Sequence, residues 1–162
     1  MPPLPDHMRA ARASDHAAVD ILLRAAFPGP DEAALVQALR AKGEIDMELV
    51  LPDETGVAGY LALSRTAAPM GWVCLAPVAI APAWQGRGLG QRLVKAALKL
   101  TQIKGQSVVV LGDPAFYTRC GFSRPRAARL STPYSADHTL IVRPGDDIPE
   151  DTLRYPSAFD GV

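Results

Sequence analysis

The chain has 162 residues, which suits a single domain able to bury a core without disulfide or metal support. With 48% hydrophobic and 21% charged residues it is neither disordered nor fibrous, and no apolar run approaches the roughly 18 residues of a membrane span. Lysine plus arginine equal aspartate plus glutamate at 17 each, so no net field draws the chain to nucleic acid or to an anionic membrane.

The start, "MPPLPDHMRAARASDH", breaks up with prolines and charges where a signal peptide needs a continuous apolar stretch. The two cysteines, Cys74 and Cys120, suit a reducing compartment better than a disulfide scaffold, so a cytoplasmic location is expected. Residues 1–6 and the last few are expected to be loose, and 8–12 to form a short first strand. Ser14 or Asp15 can cap a helix with Val19, Leu22, Leu23 and Ala26 at helical spacing, stopping near "FPGP". A second helix starts near Asp31, with Ala34, Leu35, Ala38 and Leu39 inward and Gly43 at its C-terminal cap.

The period then changes. "DMELVLPDETGVAGYLALSRT" predicts two strands around a turn, and residues 72–81 a third, nearly all apolar. Beyond "PAWQGRGLG", the residues Leu89, Leu93, Ala97 and Leu100 predict an amphipathic helix to about Lys104. "SVVVLG" (107–112) is a short buried strand, so it should run parallel to the strand before the helix. "DPAFYTR" (113–119) predicts a short helix and 137–143 a last strand, and the tail is expected to be irregular. The sum is a single α/β (α+β) domain over residues 1–162. Its sheet is mixed, with an antiparallel meander first and one parallel strand–helix–strand crossover in the middle.

The glycine turn carries the chemistry. A dinucleotide fingerprint needs a third glycine at position 91 or 93, where Gln91 and Leu93 stand. A triphosphate loop needs a lysine that the turn does not offer. What remains is Q-x-x-G-x-G, from Gln85 through Gly88 to Gly90, between a buried strand and a helix start. Free backbone N–H groups at a helix N-terminus attract anions, and glycines allow close approach. A tight packing turn would read the same way in isolation.

The segments "LAPVAIAPAWQGRGLGQRLVKAAL" and "VVVLGDPAFYTRCGF" resemble the GNAT superfamily of acetyl-CoA-dependent N-acetyltransferases, and in particular a bacterial subgroup of it. Only residues 75–122 are specific, although "RAAFPGPDEAALVQALRAKGE" and "YPSAF" are also similar. The resemblance implies a GNAT-like fold with splayed central strands and acetyl-CoA as co-substrate, with no metal. It implies that the turn residues Gln85, Gly86, Arg87, Gly88, Leu89 and Gly90 hold the pyrophosphate through backbone amides. Val78, Ala79 and Ile80 would pair with pantetheine as a strand would. Tyr117 matches the family's tyrosine near the sulfur and would assist the leaving thiolate. A tyrosine beside Phe116 on a short helix is also an ordinary core residue.

Two departures stand out. Asp113 replaces the family's usual Asn; it contacts the cofactor or caps the helix led by Pro114, and the cap is the favoured reading. The central strand has no acid to serve as base. Arg87 and Arg92 flank the turn, Trp84 is expected to pack across it, Cys120 sits beside Arg119, and His138 falls on the last strand. The expected activity is acetyl transfer to a primary amine by direct attack in a ternary complex. The alternatives are an acyl-CoA-binding module without turnover and an enzyme using a longer acyl group. No segment identifies the acceptor, and the resemblance admits a homodimer.

Overall fold

A computed structural model describes residues 4–5 and 7–161. The looseness expected at residues 1–3, 6 and 162 lies outside the described residues, whereas Leu4 and Pro5 are half-buried. Among the described residues one sheet has six strands in the order β1-β2-β3-β4-β5-β7. They are β1 (Arg9–Ala10), β2 (Ile45–Asp53), β3 (Gly56–Arg65), β4 (Val73–Ile80), β5 (Val108–Leu111) and β7 (Thr139–Val142). β1 to β4 form an antiparallel meander, β4 and β5 run parallel, and β7 returns antiparallel to β5. The expected hairpin and crossover are both present.

Two helices, α1 (His16–Ala26) and α2 (Asp31–Ala41), cover one face. The other face carries α3 (Leu89–Ile103) and α4 (Pro114–Cys120). The alternation of β3 shows why two layers form: Tyr60 and Ala62 pack with α1, and Leu61 and Leu63 with α3. Arg40 of α2 holds Glu48 of β2 at 2.8 Å, and Glu48 also accepts the buried Tyr60 hydroxyl at 2.5 Å. Burial first, and the Glu48 carboxylate next, push the Tyr60 phenol up.

The helix faces differ from expectation in ways that packing explains. Asp15 does not cap α1 with its side chain. It closes a 3-10 turn (Ala13–Asp15), where its carboxylate accepts from the Arg12 N–H and pairs with Arg9 at 2.7 Å. On α2 the buried residues are Ala33, Leu35, Val36 and Leu39, while Ala34 is exposed. The helix serves two partners: Ala33 and Val36 meet α1, and Leu35 and Leu39 meet Ala158 of the tail. On α3 the stripe is Leu89, Leu93, Val94, Ala97, Leu98 and Thr101, which leaves Leu100 41% exposed.

The tail is not the irregular appendage expected. β8 (Asp151–Thr152) pairs with β6 (Leu130–Ser131), Ala68 bridges to Arg154, and a 3-10 turn occupies Ser157–Gly161. Glu44 accepts the N–H groups of Ser157 and Ala158 at 2.9 and 3.0 Å, tying that turn to the start of β2. Leu153 and Tyr155 are buried with Trp72, Cys74 and Val109 on the sheet. The Leu153→Ala variant is therefore expected to lose about 2–5 kcal/mol of stability in urea denaturation, as a core leucine does, rather than the near-zero cost of a loose tail.

Candidate active site

The site begins with a change of phase in β4. Up to Leu75 the strand has neighbours on both sides: Val73, Cys74 and Leu75 pair with β5 and also with Arg65, Ser64 and Leu63 of β3. Pairing with β5 stops there, while pairing with β3 continues through Val78, Ala79 and Ile80. Between the two stretches Ala76 and Pro77 oppose the single residue Ala62, a bulge on β4. The bulge flips the alternation. Val73 and Leu75 face the α3 side before it, and Val78 and Ile80 do so after it.

The backbone follows the same switch. The Ala81 N–H donates to the Ala58 carbonyl at 2.8 Å, which marks that pair as a hydrogen-bonded one. Bonded and non-bonded pairs alternate in an antiparallel ladder, so Ala79 faces Tyr60. Val78 and Ile80 then direct their N–H and C=O groups away from β3, into the gap that β5 has left. Ala79 turns its backbone to β3 and its side chain to the α1 layer, so of the three strand residues expected to meet pantetheine it is the one that faces away.

A groove of about 390 Å³ opens from this gap, between Val78 and Ile80, the turn at 84–91, and Phe116, Tyr117 and Arg119 of α4. Gly86 and Gly88 both adopt left-handed conformations, with φ of 77° and 81°, which a side chain would strain. Gly88 opens α3 and no side chain caps that end, so the first amides of the helix have no partner within it. These are the donors expected to hold an anion. Gln85 acts differently from its neighbours. Its side-chain amide donates to the Ile80 carbonyl at 2.9 Å and fastens the turn to the end of β4.

Trp84 packs at the turn as expected, and its indole donates to Asp53 at 3.2 Å. Burial opposes ionisation of Asp53, but hydrogen bonds from Thr55, Trp84 and the Gly56 N–H outweigh it and hold the carboxyl below its ordinary value. The Arg87 guanidinium lies 5.1 Å from the centre of the Trp84 ring, so its side chain is stacked there, and Arg87 is not among the residues that line the groove. Asp113 is the cap of α4: its carboxylate accepts the Ala115 N–H at 3.1 Å. It therefore orients α4.

Tyr117 lines the groove from α4. Its ring stands edge-on to Phe116 and Phe122, with centroids 4.9 and 5.6 Å away. Burial, followed by the nearby Cys120 and Asp113, pushes its phenol up to about 12, so it keeps its proton through the neutral range. Among the described residues no hydrogen bond engages its hydroxyl.

Cys120 is buried, and burial raises its thiol although the neighbouring Lys95 and Arg119 charges pull it down. Cys74 is a core thiol pushed up to about 12 by burial. His138 sits in a 3-10 turn (Ala136–His138), just before β7, with its ring against Ser135. Among the described residues no group of three or more acidic, histidine or cysteine side chains is placed to hold a metal.

The chain is 40% identical over 113 residues to YhbS of Escherichia coli K-12, an uncharacterized N-acetyltransferase, covering 67% of this chain and 68% of that one. The chain belongs to the GNAT acetyltransferase family. The family's acetyltransferase domain matches residues 46–124, which hold the bulge, the turn and α4. The crystal structure of the E. coli GNAT protein YhbS in complex with CoA superposes with a TM-score of 0.89 at 32% identity, over 99% of this chain and 94% of that one. A GNAT acetyltransferase from Brucella melitensis in complex with acetyl-CoA superposes at 0.81 with 31% identity, over 95% and 97%. The GNAT fold is thus established by sequence and by architecture together.

Because Asp113 works as an N-cap, Asp113→Ala should cost about 1 kcal/mol in urea denaturation, and Asp113→Asn close to nothing. Equal losses in the two variants would contradict the cap.

Proposed function

We propose that the protein is an N-acetyltransferase that moves an acetyl group from acetyl-CoA to a primary amine, by direct attack within a ternary complex. The observation that carries this reading is the unpaired edge of β4 beside an uncapped glycine turn. The first suits the amides of pantetheine, and the second suits a pyrophosphate. Two structural neighbours above 30% identity hold CoA and acetyl-CoA, which supports the same donor here.

Acetyl-CoA supplies the activated acyl group: the neutral amine attacks the thioester carbon, the C–S bond breaks, and the thiolate leaves. The Val78 N–H, turned into the gap by the bulge, donates to the carbonyl oxygen as negative charge develops there. The Tyr117 hydroxyl donates its proton toward the departing sulfur. Holding both substrates in one groove supplies much of the acceleration. The amine's own proton passes to water, since no carboxylate among the described residues lines the groove. Two buried free thiols suit a reducing cytoplasm, and no helix of the described residues is long and apolar enough to cross a membrane.

The lack of a carboxylate in the groove among the described residues also supports a second reading, a module that binds acyl-CoA without turnover. Thiol release from acetyl-CoA, measured across a panel of primary amines, separates the two. Turnover with any amine supports the enzyme, and tight calorimetric binding with no turnover supports the module. In the enzyme, Tyr117→Phe should lower kcat by roughly 100-fold and change acetyl-CoA affinity little; an unchanged kcat would remove Tyr117 from the reaction. A proton donor whose phenol is pushed up to about 12 is still protonated in the range where a primary amine first becomes neutral. The rate of the wild type should therefore rise with pH as the amine deprotonates and show no fall below about pH 11.

A further inference from the structure

We propose that Gly112 is a positioning residue for Tyr117: its missing Cβ is the slot in which the Tyr117 ring lies at the groove. The inference rests on the reading of Tyr117 as the proton donor to the thiolate. A Cβ built on Gly112 would stand 2.5 Å from Cε2 and 3.2 Å from Cδ2 of that ring. Neither atom is the end of a flexible chain. Gly112 is not among the glycines with positive φ, so its backbone conformation is open to other residues. What demands glycine here is the ring.

Neither partner can retreat easily. The Gly112 N–H donates to the His138 carbonyl at 2.9 Å, one step beyond the pairing of Leu111 with Thr139. The next residue, Asp113, is held by its cap on Ala115. The Tyr117 ring is itself packed edge-on against Phe116 and Phe122. A methyl group at position 112 would thus drive the ring out of its seat and carry the hydroxyl with it. His138 contributes through its backbone carbonyl, which anchors the slot, while its imidazole bonds to Ser135.

The test uses the full chain carrying ring-13C tyrosine, in wild type and in Gly112→Ala, with Tyr117 signals identified by their loss in Tyr117→Phe. The expected result is that the Tyr117 ring signals shift in Gly112→Ala while those of Tyr60, Tyr134 and Tyr155 stay. Unmoved Tyr117 signals would overturn the proposal, whatever the activity. If Gly112→Ala does not fold, Gly112→Ala/Tyr117→Leu, which removes the ring, should restore the melting transition; failure to do so also overturns it.

Thiol release with acetyl-CoA and the best amine of a panel adds a kinetic arm. Gly112→Ala should lose kcat about as Tyr117→Phe does, with KM for acetyl-CoA within about threefold. Gly112→Ala/Tyr117→Leu should be no slower than Tyr117→Leu alone, and independent, multiplying losses would count against positioning. Full kcat in Tyr117→Phe would defeat the proton-donor reading, whereas the ring signals still decide whether Gly112 seats the tyrosine.

Discussion

A strand that loses one neighbour halfway along its length must satisfy its backbone some other way. β4 is that strand. β5 leaves it after Leu75, and the bulge at Ala76 and Pro77 turns Val78 and Ile80 toward the vacated side. The rest of the site is arranged around this gap. α3 begins just after the strand ends, so the free amides of its first turn lie at the mouth of the groove. α4 follows β5 after two residues, so Tyr117 sits on the helix that continues from the strand that moved away. One departure from regular pairing therefore places a backbone edge, an anion seat and a phenol beside a single groove.

The surrounding side chains mostly hold this backbone in place. Gln85 fastens the turn to Ile80, Trp84 ties it to Asp53, and Asp113 fixes the first turn of α4. Few of the residues that recognise a ligand here would do so through a charged side chain. This explains how a chain without net charge can still present a site suited to a pyrophosphate. Dipoles of the helix terminus and fixed N–H groups supply the local positive potential that composition does not show.

The sequence was most legible where spacing alone carries meaning. Gly86 and Gly88 marked the turn, the apolar run marked β4, and the crossover followed from strand, helix and strand in order. It was less legible where one segment serves two partners. α2 turns Val36 to α1 and Leu39 to the tail, so a single amphipathic stripe misassigned Ala34. The tail lacks long periodic runs, yet Leu153 and Tyr155 fill the space beside Cys74 and Val109. The phase of β4 was also hidden. "VCLAPVAI" alternates no visible polarity, so nothing in it told Ala79, which faces β3, from Val78 and Ile80. Gly112 read only as the last residue of the buried strand 107–112, because its reason, the Tyr117 ring, becomes visible only in three dimensions.

The claim on which the account depends is that the amides of Val78 and Ile80 are free for a ligand while that of Ala79 is already paired. Amide hydrogen exchange by NMR, with and without acetyl-CoA, tests it residue by residue. In the free protein Ala79 should exchange slowly and Val78 and Ile80 quickly, and acetyl-CoA should slow Val78 and Ile80 alone among the three. Slow exchange at Val78 and Ile80 before the ligand is added, or no change on its addition, would contradict the account.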